Sequence, residues 1–492
     1  MLSSLHNWIS GTLELTSKVR YGMTSRGIPL FRFVPYDRRF SPMAVGCSQR
    51  NLFYNVHAIV EPSPTDPTKG NLIQNLGAPT KESELAVLLA TYAFDSRKDL
   101  RPAKTTPSLP SSYTSFQASR ISFPKESTFH VDPPGCRDVD DSFTFEQTHN
   151  GSWQVAIHIA DVAAWIPPDH PLDQDAKQRA TSFYSPDGEV LAPMFPPAFS
   201  EAKASLLPGS PKPTFSLIFS WTPGNPPTNF QWHESLTETS KSYTYEEAIQ
   251  QVAHVPSLQA LQTLAKDLGA NPDDSHSWVA VLMILYNQKA GELLKQNGIG
   301  LLRKHSKPAQ EKLERLAALA EHVPALMDFA QESATFCEAT DQDTRHAGLN
   351  LQAYAYATSP LRRYADLVNQ RCLKAIIYSS YPQPTPSFDT LVESLNRRQK
   401  QAKAFQRDLF FQTTLAASTP NGVKGVVIQH QLDKDRYSVY VPAWRRIVKV
   451  RNLVFEPPAL GSLVSLDWYD DRMHPRWKDR MVFKTSLAKA AN

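Results

Sequence analysis

The chain has 492 residues, of which 41% are hydrophobic, 20% charged and 10% aromatic. These values are typical of a globular protein of about three domains at roughly 150 residues each, and they exclude a mostly disordered chain. The longest apolar runs, 85–90 and 278–286, are far shorter than the roughly 18 residues that a membrane span requires, so we do not expect a membrane protein.

The net charge of +4 is unevenly distributed along the chain. Residues 1–60 carry +5 and residues 421–492 carry +6, so the chain between them carries −7. Basic ends around an acidic centre suit a polyanion that is held at the flanks and processed where carboxylates bind metal. On charge alone, solvated surface with accidental clustering explains the pattern equally well.

The four cysteines are widely separated and form no C-x-x-C pair: Cys47, Cys136, Cys337 and Cys372. We therefore predict neither a disulfide framework nor a structural zinc site. A reducing compartment is predicted for the same reason. The first ten residues lack the cationic start and apolar stretch of a signal peptide. The sequence predicts a cytoplasmic protein, with an organelle as the alternative.

The first domain is predicted to be a small β-barrel over residues 1–60. Its short strands are predicted at 8–15, 28–35, 43–47 and 53–60. Basic and aromatic residues interleave there, as in OB-type barrels that use rings for bases and cations for phosphates. The alternative for Phe31 and Phe33 is that both rings alternate into the barrel core.

The remaining elements suggest three further segments. Residues 61–117 are predicted to form a helix (81–96) and a Pro/Ser-rich linker (99–118). A domain over 118–416 combines strands with helices, which are predicted at 245–253, 257–268, 277–297, 307–321 and 384–418. Five short strands over 417–492 predict a second OB-type barrel.

The sharpest local feature is the acidic segment 132–141, DPPGCRDVDD, with its carboxylates at Asp132, Asp138, Asp140 and Asp141. The Pro-Pro-Gly turn lets Asp132 face the later three aspartates. Unpaired carboxylates repel each other unless a hard cation neutralises them, which favours Mg²⁺ and metal-assisted phosphodiester hydrolysis. A solvated turn is the alternative, whereas a calcium loop would need a Gly and a Glu that this segment lacks.

A second segment, SPLRRY (359–364), is predicted to begin a helix, with Ser359 as N-cap and Pro360 in the first position. Backbone N–H groups at such an N-terminus, together with Arg362, would form a phosphate site. The alternative is an ordinary capped helix with a surface Arg362–Asp366 pair, worth under about 1 kcal/mol.

The acidic and SPLRRY segments resemble the RNB family, the catalytic domain of ribonuclease II-type enzymes. Three further segments occur in the same order: HIADV (158–162), RATSFY (179–184) and HAGL (346–349). The resemblance implies a multidomain α+β protein, in which a central mixed α/β RNB nuclease domain is flanked by small β-barrel OB-type RNA-binding domains. It also implies a processive 3′→5′ exoribonuclease that hydrolyses single-stranded RNA to 5′-mononucleotides in RNA decay or processing.

The resemblance also implies roles for individual residues and a Mg²⁺ cofactor, for which Mn²⁺ could substitute. The implied metal ligands are Asp132, Asp138, Asp140 and Asp141. Hydrolysis would depend most on Asp140, and Arg362 would hold the scissile phosphate. Tyr184 would stack on the terminal base, and Arg363 and Arg303 would contact RNA. His158 and Asp161 are expected to be structural.

Two positions depart from the family pattern. Leu302 replaces an aromatic residue found in many members, and Gln406 lies in a segment where a Glu is commoner, so the grip on the RNA 3′ end is expected to be looser. We expect a monomer that binds single-stranded RNA, with a helicase or scaffold as a further partner. The rival hypotheses are a non-catalytic RNA-binding protein that keeps the fold and a metal nuclease that acts on single-stranded DNA.

Overall fold

The structure, a computed structural model, describes residues 8–94, 120–148, 151–308, 332–378, 387–431, 436–451, 457–471 and 474–486, with scattered positions between 309 and 331 and at 381. The chain forms two compact units. The first comprises Met1–Pro102, Pro308–Glu332 and Gln401–Asn492, and the second comprises Ala103–Lys307 and Ser333–Lys400. The predicted linker at 99–118 and most of the predicted helix at 307–321 lie outside the described residues.

The N-terminal part of the first unit is a closed barrel of five strands. They are Ile9–Leu13 (β1), Leu30–Pro35 (β2), Met43–Gly46 (β3), Val56–Pro62 (β4) and Lys69–Gly77 (β5), and they pair in the order β1-β2-β3-β5-β4. This arrangement confirms the predicted OB-type architecture, but the barrel does not end at residue 60. β5 pairs with both β3 and β4 and so closes the edges that four strands would leave open.

A short helix, Lys81–Tyr92 (α1), follows the barrel at the place that the sequence predicts. It begins at a capping box, because the Thr80 side chain accepts a hydrogen bond from the backbone of Ser83 while the Ser83 side chain bonds back to Thr80. The rings of Phe31 and Phe33 are buried in the barrel core. The exposed rings of the barrel lie instead in its loops, and they include Tyr21 and Phe53.

The second unit is built on a seven-stranded mixed sheet. Its strands are Ile121–Ser122 (β6), Thr128–Asp132 (β7), Asp141–Gln147 (β8), Trp153–Ala160 (β9), Lys212–Trp221 (β12), Thr228–Thr237 (β13) and Lys241–Thr244 (β14). Two smaller sheets pair Phe183–Tyr184 (β10) with Val190–Ala192 (β11) and Leu301–Lys304 (β15) with Thr335–Glu338 (β16). The order in the large sheet is β14-β7-β8-β9-β12-β13-β6.

Helices cover this sheet and share one continuous apolar core with it. They are Pro171–Arg179 (α2), Tyr245–Gln251 (α3), Pro256–Asp267 (α4), Ser275–Asn297 (α5) and Tyr364–Ile377 (α6). A long helix, Asp389–Ala417 (α7), runs from this unit into the first. The Tyr286 ring of α5 packs on Trp232, and its hydroxyl donates to the Phe215 carbonyl at 3.1 Å.

A buried ion network joins the sheet to α6. Asp161 accepts hydrogen bonds from Arg120, at 2.6 Å, and from Lys374, and Lys374 also pairs with Glu234 at 2.7 Å. These two positive charges hold the pKa of Asp161 below its usual value, although burial alone would raise it. His158, as predicted, is structural as well: it is fully buried and hydrogen-bonded to two hydroxyl side chains.

The C-terminal part of the first unit is a five-stranded antiparallel sheet. Its strands are Val423–Gln431 (β17), Arg436–Val441 (β18), Arg446–Arg451 (β19), Leu463–Asp470 (β20) and Met481–Ser486 (β21), in the order β19-β18-β17-β20-β21, with a short helix at Trp477–Arg480 (α8). All five strands lie within 417–492, where the sequence predicts five short strands. Among the described residues, no helix is long and apolar enough to cross a membrane.

The buried network yields a stability prediction. Replacing Lys374 with Met leaves Asp161 and Glu234 buried with less positive charge, so we expect the free energy of unfolding to fall by about 3–5 kcal/mol. The measurement is equilibrium urea denaturation. The control is Lys125→Met, which breaks the surface pair with Glu238 and should cost under about 1 kcal/mol. Equal losses in the two variants would contradict this account of the network.

Candidate active site

The four predicted aspartates lie together in the connection between two neighbouring strands. Asp132 is the last residue of β7 and Asp141 is the first of β8, so both lie at one end of the sheet. The chain turns between them as predicted, with the Cys136 amide donating to the Pro133 carbonyl. Gly135 has a φ of 77°, a conformation that favours glycine over any residue with a side chain.

Asp140 is the most enclosed carboxylate of the cluster, with 2% of its surface exposed. Its Oδ1 accepts from the Leu361 amide at 2.9 Å, and its Oδ2 accepts from Arg362 Nε at 2.8 Å. Burial raises the pKa of Asp140 to about 7, against the opposing effect of the Arg362 charge. The acidic segment and the SPLRRY segment therefore meet at this side chain.

Asp141 is buried beside Asp140 without a comparable partner. Its Oδ2 has no hydrogen-bond partner among the described residues. Burial, followed by the negative charges of Asp132 and Asp140, raises its pKa well above the usual value for a carboxyl group. A cation bound at this oxygen would stabilise the buried carboxylate, because it would compensate the negative charge.

The other two aspartates are each held by one strong donor. His130 Nδ1 lies 2.8 Å from Asp132 Oδ2, and the Tyr184 hydroxyl donates to Asp138 Oδ2 at 2.5 Å. The Tyr184 ring itself is half-buried. Sequence reasoning had assigned only a base-stacking role to Tyr184 and missed this contact, because no local pattern links positions 46 residues apart.

The donor set fits a hard divalent cation in its chemistry, because all four side chains offer carboxylate oxygens. The Asp141 oxygen without a partner supports this fit. Within the described ranges, however, no three His, Cys, Asp or Glu side chains converge as a metal-binding group. The carboxylates are instead distributed among Arg362, Tyr184 and His130.

The SPLRRY segment does not begin the helix that the sequence predicts. α6 begins at Tyr364, and Ser359 does not cap it. The Ser359 amide donates to the buried carboxylate of Asp366 at 2.8 Å, and the Leu361 amide donates to Asp140. Carboxylates thus take the N–H groups that the sequence assigned to a phosphate, and the segment forms a turn.

Arg362 keeps part of its guanidinium available. Its Nε pairs with Asp140, its terminal nitrogens have no hydrogen-bond partner among the described residues, and the side chain is 43% exposed. The predicted surface pair with Asp366 is wrong, because Arg363 rather than Arg362 contacts that carboxylate, at 2.6 Å. One edge of Arg362 therefore holds Asp140, and the other is open to an anion.

The two other arginines predicted to contact RNA are bound to the protein itself. Arg303 is 1% exposed, donates to Gln399 Oε1 and the Ala334 carbonyl at 2.7 Å each, and stacks on Phe336 and Tyr356. Arg303 is therefore held by the protein in this structure, and its RNA contact stays a prediction.

Arg363 is half-buried and lies over the Tyr356 ring at 4.1 Å in addition to its pair with Asp366. Its RNA contact stays a prediction. Leu302 is completely buried, so its side chain cannot stack on a base in this structure. Gln406 is exposed on α7 in the first unit, and its effect on the 3′ end stays a prediction.

A basic cavity of about 760 Å³ lies in the first unit. The cationic residues that line it are Arg38, Arg436, Arg446, Lys449, Arg451 and Arg476. Arg436 and Arg451 lie directly opposite each other on β18 and β19, where like charges destabilise a sheet. Arg38 and Arg446 are paired with Asp479 and Asp408. Arg436 and Arg451 have no carboxylate partner among the described residues, so the cavity keeps positive charge that would attract a polyanion.

Comparison with solved structures defines the fold class. The structure of Mycoplasma genitalium RNase R in complex with ribose-methylated single-stranded RNA matches with a TM-score of 0.76 at 15% identity, covering 97% of this chain and 90% of that one. Yeast Ssd1, a pseudonuclease, matches with a TM-score of 0.69 at 18% identity, covering 91% and 65%. The chain has an RNase R-type fold, which occurs in a nuclease and in a pseudonuclease.

Residues 120–271 and 266–379 match the family model of the RNB domain, just over half of the chain. The chain therefore belongs to the RNB family, as its motifs suggested. Exosome complex exonuclease RRP44 homolog A of Arabidopsis thaliana is 26% identical over 488 residues, which cover 81% of this chain and 52% of that protein. Ribonuclease R of Aquifex aeolicus is 23% identical over 416 residues, covering 70% and 59%. The chain spans about half the length of these curated relatives.

The raised pKa of Asp140 gives a pH prediction for the metal-free protein. Between about pH 4 and pH 7 the folded protein keeps a proton on Asp140 that the unfolded chain has released, so stability falls as the pH rises through this window. A shift of about three pH units corresponds to at most about 4 kcal/mol. Asp140→Asn removes the titrating group, so its free energy of unfolding should lack this decrease. The difference in free energy of unfolding between the variant and the wild type should therefore shift in favour of the variant as the pH rises through this window.

Urea denaturation of both proteins in EDTA at several pH values measures this difference. A stability difference that is independent of pH, or one that changes with the opposite sign, would contradict the enclosed state of Asp140.

Proposed function

We propose that this protein is a Mg²⁺-dependent exoribonuclease that hydrolyses single-stranded RNA from the 3′ end and releases 5′-mononucleotides processively. The observation that carries the proposal is the meeting of two segments at one point. A buried acidic cluster, in which Asp141 Oδ2 has no hydrogen-bond partner within the described part of the chain, lies beside Arg362, whose guanidinium has one exposed edge. Positive groups stabilise the negative charge that develops on a phosphodiester during hydrolysis. Arg362 supplies one positive group at this site, and the acidic cluster can attract a metal ion as a second.

The residues that would hold the metal are Asp132, Asp138, Asp140 and Asp141, whose oxygens suit Mg²⁺ and also Mn²⁺. When bound there, the metal would polarise the phosphodiester and activate a water molecule for attack on phosphorus. Membership of the RNB family and the names of the relatives, a ribonuclease R and an exosome exonuclease, support RNA as the substrate.

Arg362 has two separable tasks in this proposal. Its Nε holds Asp140 in one orientation, and the paired carboxylate in turn keeps the guanidinium from swinging into solvent. The terminal nitrogens then present N–H donors to the non-bridging oxygens of the scissile phosphate. Because these donors are already in place before the reaction, they stabilise the charge of the transition state at little cost in reorganisation.

The first unit supplies surfaces for the rest of the RNA. The basic cavity offers cations to phosphates, and the exposed rings of Tyr21, Phe53 and Tyr54 offer stacking faces to bases. The expected contacts are with the backbone and with unpaired bases, so little sequence preference follows. A helicase or scaffold partner that opens duplex RNA stays a prediction.

We also propose that the protein acts as a monomer in a reducing compartment such as the cytoplasm. Cleavage of a single strand at the proposed site needs no second copy of the chain, and the free thiols of all four cysteines fit such a compartment. The rival function is RNA binding without cleavage, as the similarity to a pseudonuclease requires us to test. The presence of all four aspartates together with Arg362 favours catalysis.

The direct test uses a 30-nucleotide poly(A) RNA labelled at its 5′ end, a copy with a blocked 3′ terminus, and a matched DNA oligonucleotide. The proposal predicts that Mg²⁺ converts the RNA into a short labelled end product, and that the 3′ block prevents this. Intact RNA that still shifts on a gel would establish the rival function. Degradation of the DNA at the same rate would contradict specificity for RNA.

Asp140→Asn should abolish cleavage and leave RNA affinity within about twofold of the wild type, because it removes one charge without changing the shape of the site. Turnover on labelled RNA and a binding titration measure the two effects. The matched control is Asp175→Asn on the exposed side of α2, which should cleave like the wild type. Unchanged turnover in Asp140→Asn would overturn the role of the acidic cluster.

Tyr184→Ala should lengthen the shortest undigested product by a nucleotide or two, because the last bases lose the ring on which they stack, worth about 1–3 kcal/mol per base. Denaturing gels of 5′-labelled RNA show the end product directly. An end product of wild-type length would refute the stacking role.

A further inference from the structure

The Tyr184 hydroxyl makes the shortest described contact to the acidic cluster. It donates to Asp138 Oδ2 at 2.5 Å, and the other described polar contact of this carboxylate is a long one, 3.9 Å from Cys136 Sγ to Oδ1. Asp138 is partly exposed and sits in a loop, so little else fixes its side chain. Removal of the Tyr184 hydroxyl would leave the carboxylate free to rotate.

The backbone that carries Tyr184 is itself attached to the turn that carries Arg362. The Ser182 amide donates to the Arg362 carbonyl at 2.9 Å, and the Tyr364 amide donates to the Ala180 carbonyl at 2.8 Å. The Thr181 hydroxyl adds a bond of 3.0 Å to the same Arg362 carbonyl. Segment 180–184 is therefore placed by three hydrogen bonds before its ring meets any ligand.

These contacts form a continuous series of interactions that begins and ends in the acidic segment. Asp138 is held by the Tyr184 side chain, the Tyr184 strand is held by the Arg362 backbone, and the Arg362 side chain holds Asp140. The carboxylates at positions 138 and 140 are thus oriented from the same turn. A carboxylate that is held in one orientation binds a cation better than a mobile one, because less conformational entropy is lost on binding.

We propose that Tyr184 is a positioning residue whose hydroxyl orients Asp138 for a divalent cation, separately from any stacking by its ring. This inference rests on the proposed function for the presence of the cation, and it assigns the hydroxyl and the ring to different tasks. The hydroxyl sets the affinity of the cluster for metal, and the ring sets where digestion stops.

The test compares Tyr184→Phe, which keeps the ring and removes the hydroxyl, with Tyr184→Ala, which removes both. Mn²⁺ alone is titrated into each protein and followed by electron paramagnetic resonance, so that no RNA or turnover is required. We expect the apparent Mn²⁺ dissociation constant to rise about tenfold in both variants, the lower end of the range for removal of a group that orients a metal ligand. Only Tyr184→Ala should alter the RNA end product.

The matched control is Tyr92→Phe in the first unit, which removes another tyrosine–aspartate bond, from Tyr92 to Asp408 Oδ2 at 2.8 Å. It should bind Mn²⁺ like the wild type. A double-mutant cycle completes the test: in an Asp138→Ala background, Tyr184→Phe should cause no further loss of Mn²⁺ affinity. Melting curves in EDTA check that each variant is folded.

Mn²⁺ affinity within twofold of the wild type in Tyr184→Phe would overturn the proposal. So would a loss of Mn²⁺ affinity on adding Tyr184→Phe to Asp138→Ala that is as large as the loss it causes in the wild type. An altered end product in Tyr184→Phe would overturn the division of tasks. Absence of RNA cleavage by the wild type, with the Mn²⁺ results as expected, would refute the exoribonuclease and leave the positioning role intact.

Discussion

Enclosure of the Asp140 carboxylate constrains most of the site. A buried carboxylate is costly unless donors satisfy both oxygens, and here the Leu361 amide and Arg362 do so from a segment more than 200 residues away. The same contacts bring Arg362 to the acidic loop, and together with the Asp366 carboxylate, which accepts from the Ser359 amide, they replace the first turn of a helix at this segment. The turn that replaces this helical start also anchors the strand that bears Tyr184.

The surrounding fold keeps this arrangement rigid through buried polar groups. The large sheet fixes Asp132 and Asp141 at adjacent strand ends, and the network of Arg120, Asp161 and Lys374 ties the same sheet to α6. Such networks add little net stability but are costly to disrupt, because each lost partner leaves a buried charge. A site that must hold several like charges needs a support of this kind.

The sequence alone predicted the elements that local patterns determine, and the RNB motifs led directly to the acidic cluster. It missed β5, because the Pro-rich stretch that precedes this strand is typical of a connection. It placed the start of α6 four residues too early, because a local capping rule cannot anticipate competition from Asp140 and Asp366 for the same N–H groups. The RNB resemblance implied an RNA contact for Arg303, and its packing against the rings of Phe336 and Tyr356 became visible only in the tertiary structure.

The most direct measurement of the central claim is a crystal structure with Mn²⁺ and an anomalous difference map recorded at the manganese edge. The account predicts an anomalous peak within coordination distance of an oxygen of Asp141, with Arg362 still contacting Asp140 through one edge. A map without a peak among the four aspartates, at Mn²⁺ concentrations that support RNA cleavage, would contradict the claim that this cluster holds the catalytic metal.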